Sequence, residues 1–440
     1  MTTLLDAPAA DAPAAHSLGV DRILGLRCRG CGALQPLGLA YVCDRCFGPL
    51  EVAYDLDAIA PTLSPAVVAG RSPGIWRYAE LLPVEPPDRS LAVGSTPLIS
   101  ADRLGPALGV DRLWLKDDTR NPTLSFKDRA VAIATATATS LGLPVLACAS
   151  TGNLAGATAA AAAAAGLRAL VVIPADLEPA KVEHALAYGA SVLPVEGTYD
   201  DVNRLCLELA DETGWGFVNV NLRPFYAEGS KTLAFEVAEQ LGWRTPDVIV
   251  SPIASGALFT KLAEGFEQLA AVGLIERRPV RFVGAQAAGC APVASAWADG
   301  GDVVRPVRQP DTIVRSLAIG SPADGAYAVD LARRSGGSVE SIPDEATAAA
   351  VRQTAELEGI YGETAVGVTV AAIESATRRG VIRDGDEVVA LLTGNGLKTP
   401  DARWLGLERG RVAPGERGLA EPVRPVVDVV LGSLERALAA

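Results

Sequence analysis

The sequence predicts an α/β fold with a small cysteine module in front of it. Two observations carry this. From residue 144 onward, strand-length apolar runs alternate with helix-length segments, the pattern of parallel strands buried on both faces. Near the start, the pairs "CRGC" and "CDRC" lie eleven residues apart. A chain of 440 residues, 49% hydrophobic, is long enough for about two to three domains with substantial cores.

Taken in order, residues 1–18 are Ala/Pro-rich and lack a basic start followed by an apolar block. They are expected to be a disordered tail, not a signal peptide. Residues 19–55 hold Cys28, Cys31, Cys43 and Cys46, whose spacing can place four thiolates on one tetrahedral zinc ion. Such a closed ligand set is structural and leaves no position open for catalysis. Residues 56–110 form an arm and a Pro-rich connector containing "LLPVEPPDRS". Residues 111–245 read as a first α/β domain, with strands expected in "PVLACAS", "LRALVVIP", "SVLPVE" and "WGFVNV". Residues 246–408 read as a second, with strands in "PDVIVSP", "VRFVGAQ" and "DEVVALLT". Residues 409–440 form a tail whose last segment has the apolar spacing of a short helix.

Composition excludes several kinds of chemistry. There are two histidines, His16 in the tail and His184, so a triad or a His-rich catalytic metal site would rest on one residue. A net charge of −13 argues against a nucleic-acid partner. No apolar stretch of ~18 residues offers a membrane span. A soluble cytoplasmic protein is expected. Cys148, Cys206 and Cys290 stand alone among small or apolar residues and read as buried core thiols.

Lysine is scarce: six residues against 33 arginines. Surface charge can be met by either, but a primary amine with a tunable pKa only by lysine. Lys127 sits in "NPTLSFKDRA", just past a proline turn. Three further loops follow strands: "STGN", "SPIASGAL" and "LLTGNGLK". Small residues at a strand-to-helix turn aim backbone N–H groups outward, a ready anion site. Neither GxGxxG after the first strand nor GxxxxGK[ST] occurs, which disfavours dinucleotides and nucleoside triphosphates. A lysine, an anion cradle and no histidine fit pyridoxal phosphate, which needs a Schiff-base lysine, a phosphate site and a ring-nitrogen partner.

"NPTLSFKDR", with "GSTPL", "STGN", "GAQAAGCAP", "TIVRSLAIGSP" and "LLTGNGLK" in the same order, resembles the threonine synthases and their fold-type-II relatives, over roughly residues 20–405. The resemblance implies a two-domain, tryptophan-synthase-β-like architecture. It implies that Lys127 binds pyridoxal phosphate as a Schiff base and that Asn153 bonds the ring hydroxyl. Ala254, Ser255, Gly256, Ala257 and Leu258 would cradle the cofactor phosphate, and Thr393 would face the ring nitrogen. Ser150 and Thr151 would receive the substrate carboxylate. Asp128 and Arg129 read as scaffold that fixes the turn. The implied reaction converts O-phospho-L-homoserine and water to L-threonine and phosphate. The alternatives are replacement or elimination on a related amino acid such as O-phosphoserine, a threonine/serine dehydratase, or a non-catalytic zinc-ribbon scaffold.

The chain departs from that pattern in three places. The phosphate loop reads "ASGAL"; Glu363-Thr364 stands where a Glu-Pro is common; and Tyr226 stands where many members carry an arginine expected near the substrate phosphate. Arg223, one turn earlier, is therefore expected to hold that phosphate, with Lys231 as fallback and Lys116 as a weaker one. A small phosphorylated amino acid is the expected partner, with no nucleic acid or membrane, in a homodimer.

Overall fold

A computed structural model describes residues 21–150 and 152–399. The expected tails at 1–18 and 409–440 lie outside the described residues. Three strands, β1 (Ile23–Cys28), β2 (Leu34–Gln35) and β3 (Leu50–Tyr54), form an antiparallel sheet in the order β2-β1-β3. It carries the cysteine pairs.

Two further sheets follow. Strands β4 (Leu98–Ser100) and β5 (Arg112–Asp117) come next, then β6 (Val145–Ala149), β7 (Arg168–Pro174), β8 (Ser191–Val195) and β9 (Gly216–Phe217). The last are β10 (Val248–Pro252), β11 (Arg281–Ala287), β12 (Ser338–Ile342) and β13 (Glu387–Leu392). The four-stranded sheet runs β8-β7-β6-β9 and is parallel throughout. The six-stranded sheet runs β12-β11-β10-β13-β5-β4, parallel except for β4 against β5. Every residue of β6, β10 and β13 is buried, as strands covered on both faces require.

The sheets do not divide where the sequence was divided. Strand β5 lies within the expected first domain, yet it pairs with β13, Lys116 opposite Leu391, in the six-stranded sheet. The chain begins the larger sheet, leaves it to build the smaller one from residues 145–217, and returns. Strands β5 and β12 were not legible as apolar runs, because Arg112, Lys116, Asp117 and Glu340 interrupt them.

The helix Arg223–Gln240 is buried along nearly its whole length and packs against the helices Lys127–Ser140 and Ala257–Ala271. Gly229 permits this: a Cβ there would lie 2.1 Å from the Arg129 carbonyl oxygen. Its polar residues meet partners that are also buried. Arg129, Lys116 and Glu236 pair at 2.7 Å, and Glu228 takes Lys231 at 2.6 Å and Lys261 at 2.8 Å. Among the described residues no helix is long and apolar enough to cross a membrane.

Candidate active site

The Lys127 loop is shaped by its own short bonds. Asp128 accepts from the Thr123 N–H and hydroxyl, both at 2.7 Å, and Leu124 adopts a left-handed φ of 62°. Burial pushes the Asp128 carboxyl up to about 6 against those hydrogen bonds. Phe126 N–H donates to the Thr393 carbonyl at 2.9 Å, and Asn395 N–H to the Leu124 carbonyl at 3.0 Å. The lysine loop and the turn after β13 are thereby one unit. Arg129 is fully buried and bonds Asp118 and Glu236 with several N–H groups at 2.7–2.8 Å. These are the contacts of a scaffold.

Lys127 opens its helix and lines a cavity of about 360 Å³. Its Nζ donates to the Tyr226 hydroxyl at 2.9 Å. Asn153, Ser150, Thr393 and the turn of Ala254, Ser255, Gly256, Ala257 and Leu258 line the same cavity. The turn stands at the start of the helix Ala257–Ala271, whose N-cap residue Gly256 has no side chain to offer; Ser255 Oγ accepts from the Ala257 N–H at 3.5 Å, and the next N–H groups have no side-chain cap. They are therefore disposed toward an anion. Gly256 has φ 96°, and a Cβ there would meet Asp324 atoms at 2.9 Å, so glycine is required. Asn153 Nδ2 donates to Glu363 Oε1 at 2.6 Å. Asn153 Oδ1 and Glu363 Oε2 are buried without a protein partner. Such orphaned atoms beside a cavity with an anion cradle and a lysine fit a polar aromatic ring carrying a phosphate.

Ser150 Oγ accepts from the N–H groups of Gly152 at 2.9 Å and Ala155 at 2.8 Å, shaping the turn that opens the helix Asn153–Ala165. Thr151 lies outside the described residues. Arg223 lines the cavity as the first residue of its helix and donates to Asp324 at 2.5 Å. The fallback cations go elsewhere. Lys231 is fully buried, with Nζ bonded to Glu228 at 2.6 Å and Gln268 at 2.8 Å, and Lys116 is buried against Glu236 and Gln240. Sequence proximity misled for Lys231: two helical turns past Arg223, its side chain points into the helix-packing core.

The structure adds residues that the sequence reading left without a role. Tyr226 and Glu363 were visible only as departures from a pattern. Asp324 carried no local signal. The cysteine module supplies Tyr41, Val42, Phe47 and Pro49 to the cavity wall. The four Sγ atoms of Cys28, Cys31, Cys43 and Cys46 lie within 4.8 Å of one another. N–H groups of Gly30, Cys31 and Arg45 approach sulfur at 3.3–3.5 Å. Backbone N–H groups, that of Cys31 foremost, bring the Cys28 thiol down to about 7. Against the Gly48 N–H, hydrogen bonds with Cys28 and Cys31 push the Cys46 thiol up to about 12. Four sulfurs this close together fit a tetrahedral zinc ion. Cys148, Cys206 and Cys290 are buried and free.

Comparison with known proteins follows the same lines. The family of pyridoxal-phosphate dependent enzymes matches residues 89–394. The threonine synthase of Methanosarcina acetivorans is 36% identical over 377 residues, 85% of this chain and 92% of that protein. That of Methanocaldococcus jannaschii is 35% identical over 380 residues, 86% and 93%. Among solved structures, a fungal L-serine ammonia-lyase from Rhizomucor miehei superposes with a TM-score of 0.59, covering 69% of this chain and 94% of that one. At 20% identity it speaks for the fold alone.

Proposed function

Because the chain belongs to the pyridoxal-phosphate dependent enzymes, and among them to the threonine synthases, we propose that it converts O-phospho-L-homoserine and water to L-threonine and phosphate. The observation that carries the reading is one cavity holding Lys127, the N-terminus of the helix Ala257–Ala271, and the unpartnered oxygens Asn153 Oδ1 and Glu363 Oε2. Pyridoxal phosphate, when bound, supplies an electron sink for charge that develops as the substrate loses its α proton.

The chain's residues do the rest. Lys127 would hold the cofactor and, as a free amine, would remove and return protons along the substrate chain. Ala254, Ser255, Gly256, Ala257 and Leu258 hold the cofactor phosphate, Asn153 the ring hydroxyl. Thr393 offers the ring nitrogen a neutral hydroxyl, which favours elimination and replacement over transamination. Ser150 and Thr151 orient the substrate carboxylate. Arg223 holds the substrate phosphate through its planar fork of donors. Cys28, Cys31, Cys43 and Cys46 bind one structural zinc ion.

The test is product analysis. Purified protein with pyridoxal phosphate and O-phospho-L-homoserine should release phosphate and L-threonine in equal amounts. A keto acid from O-phosphohomoserine, or turnover of O-phosphoserine alone, would move the assignment to elimination or replacement on another amino acid.

A further inference from the structure

The six lysines of this chain fall into two kinds. Lys116, Lys181, Lys231 and Lys261 each lie within 4.0 Å of a carboxylate, and Lys398 donates to the Thr123 carbonyl. Lys127 differs. Like Lys398 it has no carboxylate within 4.0 Å of Nζ among the described residues, but its partner is a side-chain hydroxyl, that of Tyr226 at 2.9 Å, and of the described lysines it is the one that lines the cavity. A carboxylate would hold the amine as an ammonium ion, useless as a base. A neutral hydroxyl favours the ammonium only weakly, by accepting from it, and can also donate to the lone pair of the free amine.

The hydroxyl is itself well placed to do this. Tyr226 is 7% exposed, and its ring belongs to the core that includes Phe225, Leu222 and Val218. It lies on the first turn of its helix, three residues after Arg223, so both reach the same cavity. Ring packing fixes the oxygen, and the oxygen fixes the amine. The Phe126 ring, 4.6 Å from Nζ, limits the lysine on another side.

Resting on the reading of Lys127 as the cofactor lysine, we propose that Tyr226 is its positioning residue. Its hydroxyl takes the amine by one reversible hydrogen bond whenever the amine is not covalently engaged. The amine then returns to a single place between successive proton transfers. The hydroxyl transfers no proton of its own; it accepts a hydrogen bond from the ammonium formed after each abstraction, which favours that charged form.

Tyr226→Phe keeps the ring and removes the oxygen. In the holoenzyme, cofactor absorbance should be full and KM within about threefold of wild type. The kcat should fall on the order of tenfold to a hundredfold, with exchange of the substrate α proton into deuterated solvent slowed in step. A second readout, which a merely structural role would not move, is the acidic limb of the pH–rate profile of that exchange, which reports the protonation of the free Lys127 amine. Its midpoint should move to lower pH by on the order of half a unit or more, because an acceptor that favours the charged form is lost. Full cofactor absorbance with wild-type kcat, exchange rate and pH–rate midpoint would overturn the proposal and leave the assignment of Lys127 standing. Wild-type protein that forms no cofactor absorbance would overturn both.

Discussion

Asp324 Oδ2 accepts a hydrogen bond from Arg223 Nη2 at 2.5 Å, while Asp324 Oδ1 accepts from Arg29 Nη1 at 3.2 Å. One buried carboxylate thus joins the candidate phosphate residue of the cleft to the residue that follows Cys28. Arg29 also stacks over the Tyr327 ring at 3.7 Å. The side chain of Asp324 is only 3% exposed, so the pair holds Arg223 in one orientation with donors left for the cavity.

Arg223→Ala should therefore raise KM for the phosphorylated substrate by about tenfold or more, the loss of a charge-assisted contact worth ~1.5–3 kcal/mol. Cofactor absorbance should not change. Arg223→Lys should recover only part of the loss, since an ammonium cannot present two fixed donors. Steady-state kinetics on the three proteins decides it, and unchanged KM in Arg223→Ala would reject the assignment.

Lys127→Ala should abolish both the visible cofactor band and turnover while the far-ultraviolet dichroism stays native. Lys127→Arg should fail equally, because a guanidinium forms no imine under ordinary conditions. Retained turnover in either variant would end the reading of Lys127.

Metal analysis of protein purified without chelator should find one zinc per chain. Cys43 is fully buried, so Cys43→Ser should lower the thermal midpoint more than it lowers activity per folded molecule. The module walls the cavity through Tyr41 and Phe47, so some rise in KM is expected with it. Metal-free wild-type protein of full stability would count against the zinc site.

Glu228 and Glu236 are both held at about 2, below a reference of 4.5, by neighbouring cations that outweigh their burial: Lys231 and Lys261 for one, Arg129 and Lys116 for the other. A depressed carboxylate stabilises the fold above its unfolded pKa, and that stability is lost as pH falls through the folded one. Denaturant titrations should therefore show stability falling between about pH 4.5 and 2, by on the order of a few kcal/mol per group. Glu236→Gln should flatten that dependence. It should also cost roughly 3–5 kcal/mol at neutral pH, because Arg129 and Lys116 remain buried with their shared charge partner gone.

The apolar runs of β6, β7, β10, β11 and β13 were legible in the sequence because they are buried on both faces, and such strands are apolar at nearly every position. The cysteine spacing and the small-residue turns were legible for a related reason: a local geometry that tolerates few residue types leaves a local mark, as at Gly256. Lys127 stood out because the chain so rarely uses lysine. Tertiary structure alone decided which sheet received β5, since strand pairing across more than 250 residues leaves no trace in a six-residue window. It alone sent Lys231 into the core and Arg223 to the cavity, because a helix side chain's surroundings depend on what packs around it. It also set Tyr226 against Lys127, Asp324 against Arg223 and Phe47 at the cavity wall. These pairs are 99 and 101 residues apart, and only the burial of the helix Arg223–Gln240 among its neighbours brings them within hydrogen-bond reach.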